Sequence, residues 1–81
     1  MQFATFGSDK KPTLYAYENG YTGRFNETQW EMSNIGWMDI LHEGMSMPGL
    51  LKNLSYTQAK EIFGDKEPEM FFSEIKSQQG I

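Results

Sequence analysis

Leu14-Tyr15-Ala16-Tyr17-Glu18-Asn19-Gly20-Tyr21-Thr22-Gly23-Arg24-Phe25 is the stretch that decides how this chain folds. Asn19-Gly20 is the favoured pair for a two-residue type I′ turn, because both central positions need positive φ. A turn centred there sets Glu18 against Tyr21, Tyr17 against Thr22, Ala16 against Gly23, Tyr15 against Arg24 and Leu14 against Phe25. Side chains alternate along a strand, so one face of the ribbon carries Leu14, Ala16, Tyr21 and Phe25. The other carries Tyr15, Tyr17, Thr22 and Arg24. The first set is the natural core face. A slip of one residue would exchange the two faces, so turn and pattern specify the same register.

Working outward, residues 2–6 (Gln-Phe-Ala-Thr-Phe) read as a preceding strand. The polar loop Gly7-Ser8-Asp9-Lys10-Lys11-Pro12 joins it to the hairpin, with Pro12 just outside the second strand. On the other side, Thr28, Trp30 and Met32 alternate and are read as a short fourth strand, although Thr28 and Glu31 also fit a capping box. Beyond that point helical signals take over. Ser33 or Asn34 caps a segment running to Glu43, with Gly44 as its stop, and Trp37, Met38 and Leu41 share one face with Ile40 beside them. Gly44-Met45-Ser46-Met47-Pro48-Gly49 is a breaker-rich loop. Ser55 and Gln58 form a second capping box, Leu54 and Ala59 stand at staple positions, and Gly64 ends that helix. Pro68 suits the first turn of a last helix that buries Phe71, Phe72 and Ile75 and frays at Gln78-Gln79-Gly80. The expectation is an α+β fold: a small antiparallel sheet of three to four strands from the N-terminal half, packed on one face by two or three short helices from the C-terminal half.

Composition bounds what such a fold can do. The 81 residues form a single small domain, 1–81, with a thin core and little room for a catalytic cleft. Cysteine is absent, which excludes disulfides, zinc–cysteine sites and thiol chemistry. No apolar run reaches membrane-span length, and Met1-Gln2-Phe3-Ala4-Thr5 is not a signal peptide, so a cytoplasmic protein is expected. Leu and Ile together supply 10 residues and Val none, whereas aromatics supply 12 and Met 6. Rings and thioethers must therefore do most of the burying.

Charge is unevenly distributed. The net charge is −4, and residues 25–51 hold Glu27, Glu31, Asp39 and Glu43 with no basic residue at all. The same stretch contains both tryptophans and four of the six methionines. Trp30, Trp37, Met45 and Met47 are anchor-type residues, and Glu27, Glu31, Asp39 and Glu43 would ring them. Anchors within an acidic rim describe a surface for a larger protein with a basic, nucleic-acid-binding face, which the chain would occlude. Periodicity alone does not separate that reading from a core role for both indoles. Size and charge are those of small inhibitors and regulators of host nucleic-acid enzymes encoded by phages and mobile elements, anti-restriction and anti-CRISPR proteins among them. The alternative is single-stranded nucleic-acid binding on the second hairpin face, where Tyr15 and Tyr17 would stack bases beside Arg24. The acidic balance opposes it, and no direct nucleic-acid partner is expected. A homodimer that buries one sheet face against a second copy is a further expectation.

Catalytic equipment is not evident. Asp39, His42 and Glu43 stand at i, i+3 and i+4 on one helix, but a metal site normally draws ligands from more than one element, so neither metal nor cofactor is expected. Ser46 lies in a glycine-flanked loop, yet Pro48 disfavours helical geometry at Met47 and so opposes the strand–serine–helix geometry of a nucleophile elbow. Residues 54–75 faintly suggest a helix-turn-helix, but Glu67-Pro68-Glu69 would set carboxylates at the groove-facing end. A binding protein is expected, not an enzyme.

Overall fold

The computed structural model describes residues 1–7, 11–47 and 49–79. Ser8, Asp9 and Lys10 of the expected polar loop, Pro48, and the final Gly80 and Ile81 lie outside the described residues. The elements in chain order are β1 (Gln2–Phe6), β2 (Thr13–Glu18), β3 (Tyr21–Phe25), β4 (Trp30–Met32), α1 (Trp37–Ser46), β5 (Leu51–Leu54), α2 (Tyr56–Phe63) and α3 (Pro68–Gln79). The strands form one antiparallel sheet in the order β4-β3-β2-β1-β5, so the fold is α+β.

The hairpin has the register its turn dictates. Asn19 and Gly20 take φ of 52° and 87°, and Leu14 pairs with Phe25, Tyr15 with Arg24 and Glu18 with Tyr21. β4 is a strand, with Trp30 opposite Phe25. β5 was not anticipated. Leu51-Lys52-Asn53-Leu54 has no β-branched residue, and it pairs because β1 offers a free edge, Phe3 meeting Leu54 and Phe6 meeting Leu51. The amide of Gly7 extends that ladder by donating to the Leu50 carbonyl at 3.1 Å.

The sheet is covered on both faces, which corrects the expectation of helices on one. Phe3, Leu14, Ala16, Phe25 and Trp30 meet Ala59 and Phe63 of α2 and Phe72 and Ile75 of α3. On the opposite face Ala4 and Tyr15 meet Trp37 and Ile40 of α1, with Phe6, Tyr17, Leu41 and Leu51 packed around them. A sheet with rings on both faces needs two covers, because either face left open would expose aromatic area to water.

The helix boundaries have local causes. α2 opens on the expected capping box: the Gln58 amide donates to Ser55 Oγ at 3.2 Å, and the Ser55 amide donates to Gln58 Oε1 at 2.9 Å. Gly64 is its C-cap, and Pro68 is the buried first residue of α3. α3 continues through Gln79, so Gln78 and Gln79, expected to fray, are helical, while Gly80 lies outside the described residues. α1 starts later than expected, after Gly36, because Ser33 is spent on a turn: its Oγ donates to the Ile35 carbonyl at 2.7 Å and accepts the Ile35 amide at 3.0 Å. It also runs on through Gly44. A Cβ at Gly44 would lie 2.7 Å from the Leu51 Cβ, so glycine is what lets α1 lie directly on β5.

Candidate protein-binding face

The two indoles expected to anchor a partner are core residues on opposite faces of the sheet. Trp30 is 8 % exposed; its ring packs at 5.2 Å from Phe25 and 6.0 Å from Phe63, and its Nε1 donates to the Lys66 carbonyl at 2.6 Å. Trp37 is 6 % exposed and stacks on Tyr17 at 5.4 Å with 20° between the planes. The sheet itself separates them, so the expected patch is not one surface around two tryptophans. The physical reason is the shortage of aliphatic residues, which leaves the largest rings to fill both cores.

The four expected acidic residues divide in the same way. Glu27 pairs with Lys11 at 2.7 Å, and Glu31 accepts from Arg24 Nε at 3.0 Å and from a second guanidinium nitrogen of the same residue. Hydrogen bonding and attraction to these carboxylates raise the pKa of Lys11 and of Arg24. The turn that carries Glu27 and leads into β4 is held by Asn26, whose Oδ1 accepts the Thr28 amide at 3.1 Å and the Gln29 amide at 2.9 Å. Within it Glu27 takes φ of 82°. Asp39 and Glu43, by contrast, are exposed on α1 and make no ion pair among the described residues.

What remains is the outer face of α1. Trp37, Ile40, Leu41 and Gly44 face the sheet at i, i+3, i+4 and i+7. The residues between them point to water: Met38 is 75 % exposed and Met45 81 %, with Asp39, His42 and Glu43 exposed among them. Met47, the C-cap, and Ile35, just ahead of the helix, are also exposed. No Lys or Arg occurs on α1. Of the expected contact residues, Asp39, Glu43, Met45 and Met47 are thus exposed on α1 or at its C-cap, while Glu27 and Glu31 lie elsewhere and Trp30 and Trp37 are buried. Met38, which the sequence reading set on one face with Trp37 and Leu41, is exposed instead, and Ile35 is an exposed residue that the sequence reading did not single out. For Met38 the signal was available: with Gly44 read as part of the helix, the buried spacing assigns Met38 to solvent.

The second hairpin face is occupied. Tyr15 is buried, Tyr17 carries the Trp37 ring, and Arg24 is engaged by Glu31. α1 covers the rings on which bases were expected to stack. Ser46 is the last residue of α1 and its hydroxyl reaches the His42 carbonyl at 3.5 Å. Among the described residues no group of three or more His, Cys, Asp or Glu side chains is placed to hold a metal ion, nor is any helix long and apolar enough to cross a membrane.

One further charged cluster joins α2 to the segment before α3. Glu67 accepts from Lys60 Nζ at 2.7 Å and from Tyr56 Oη at 2.8 and 2.9 Å. Those donors hold the Glu67 carboxyl below its ordinary pKa, while the same contacts raise the pKa of Lys60 and of Tyr56. Comparison of the chain with protein-family models, curated proteins and solved structures gave no match.

Proposed function

We propose that the protein is a small acidic binding module that docks the outer face of α1 on a basic surface of a larger protein and occludes it. The observation that carries this reading is the exposure, on the solvent side of α1, of Met38 and Met45 together with Asp39 and Glu43, which pair with no cation among the described residues. Methionine side chains adapt to irregular surfaces and supply the apolar contact. The carboxylates supply attraction and registry towards Lys and Arg, and they speed encounter. A basic surface of this kind is what nucleic-acid enzymes present to phosphates, so they are the partner class. Within that class, inhibition of a host defence enzyme, in the manner of an anti-restriction or anti-CRISPR protein, rests on size and charge alone. The covered hairpin face favours this reading over direct nucleic-acid binding.

Affinity capture from bacterial lysate, with and without nuclease, tests it against the Asp39→Lys/Glu43→Lys variant. A stoichiometric protein that survives nuclease and is lost with the variant is the expected outcome. Capture that is unchanged by the charge reversal removes α1 as the docking face. Material that disappears on nuclease treatment points to nucleic acid instead.

A further inference from the structure

We infer a second binding site, a groove between the β3–β4 turn and the start of α3 that takes an arginine side chain of a protein partner. The groove has a volume of about 430 Å³. It lies on the α2–α3 side of the sheet, across from α1, and shares with the α1 reading only the basic character of the partner. Trp30, Met70 and Phe71 form its apolar lining, and Gln29, Asp65 and Glu74 contribute polar groups.

The polar inventory decides the occupant. The Trp30 indole N–H is already spent on the Lys66 carbonyl. Glu67 reaches the groove too, but its oxygens are engaged by Tyr56 and Lys60. Asp65 and Glu74 have no ion-pair partner among the described residues. An occupant must therefore offer an apolar stem to Met70 and Phe71 and a positive, donor-rich head to Asp65 and Glu74. Arginine does both: its methylene stem covers apolar surface, and its planar guanidinium carries five donors and packs well on aromatic rings. An anion would meet two unneutralised carboxylates, and a neutral apolar group would desolvate them without compensation. Lys66 is the only basic residue in the lining, and it opposes the incoming cation.

Heteronuclear NMR tests this with a defined probe, N-acetyl-arginine amide, and with its uncharged citrulline analogue. The chain has two tryptophans, so its two indole N–H signals report the two sides of the sheet separately. Trp30 is expected to shift saturably with the arginine probe in the millimolar range while Trp37 stays in place, and the citrulline analogue should move neither. Asp65→Asn and Glu74→Gln should each weaken binding roughly 3-fold, and Lys66→Ala should strengthen it by a similar factor. All three side chains are exposed, so these variants keep the fold. Asp39→Lys on α1 should leave the titration unchanged, which keeps failure here distinct from failure of the α1 face. An unresponsive Trp30, equal shifts with citrulline, or indifference to the Asp65→Asn/Glu74→Gln pair would overturn the inference.

Discussion

Trp37 and Met38 are neighbours in sequence and opposites in environment. Trp37→Ala would empty the centre of the core under α1 and is expected to cost about 3–5 kcal/mol in urea unfolding. Met38→Ala, at a side chain in water, should stay within about 0.5 kcal/mol. A large loss for both would mean that Met38 is packed and that α1 has no free methionine face. At Glu67 the prediction concerns pH. Its carboxyl is held below the ordinary value by Lys60 and Tyr56, so its contribution is complete above the ordinary carboxylate pKa and is lost as pH falls through the lowered one. Wild-type stability should therefore fall more steeply in that acidic window than that of Glu67→Gln. Parallel acid profiles would contradict the clamp. What the sequence disclosed at this scale was identity without placement: it marked Trp30, Trp37 and the acidic residues as unusual, but burial depends on which sheet face each element covers, and that is set by distant partners.

At the scale of elements, Gly44 separates local preference from tertiary constraint. In an ordinary helix interior Gly→Ala is stabilising by about 1 kcal/mol. Here the added Cβ meets Leu51, and overpacking should reverse the sign, with a net loss of about 1–2 kcal/mol. Leu51→Ala in the same chain should return part of that loss, and a Gly44→Ala gain on its own would disprove close packing of α1 on β5. The hairpin, β4, the α2 cap and the α3 start were legible because their signals are local: a turn pair, an alternation, a capping box and a proline. β5 was not. Leu51–Leu54 carries almost no strand signal of its own and is placed by the open edge of β1. Reading Gly44 as a helix stop had the same origin, since a glycine required by a neighbouring strand looks locally like a terminator.

The whole molecule exposes 5664 Å², more than the roughly 5,000 Å² expected of a compact chain of this mass. Methionine is held in water on α1 and at Met70 of α3, near carboxylates that make no ion pair among the described residues. The ion pairs Lys11–Glu27, Arg24–Glu31 and Lys60–Glu67 use three of the cations away from α1, whose own sequence carries Asp39 and Glu43 but no Lys or Arg. Association with a basic partner should accordingly slow as ionic strength rises, and the Asp39→Lys/Glu43→Lys variant should lose most of that dependence. The most direct measurement is whether the captured partner can hold nucleic acid and this chain together. Docking of α1 on the basic surface predicts that saturating wild-type chain displaces the nucleic acid and that the charge-reversed variant does not. A stable complex of all three, with each affinity unchanged by the other, would contradict it.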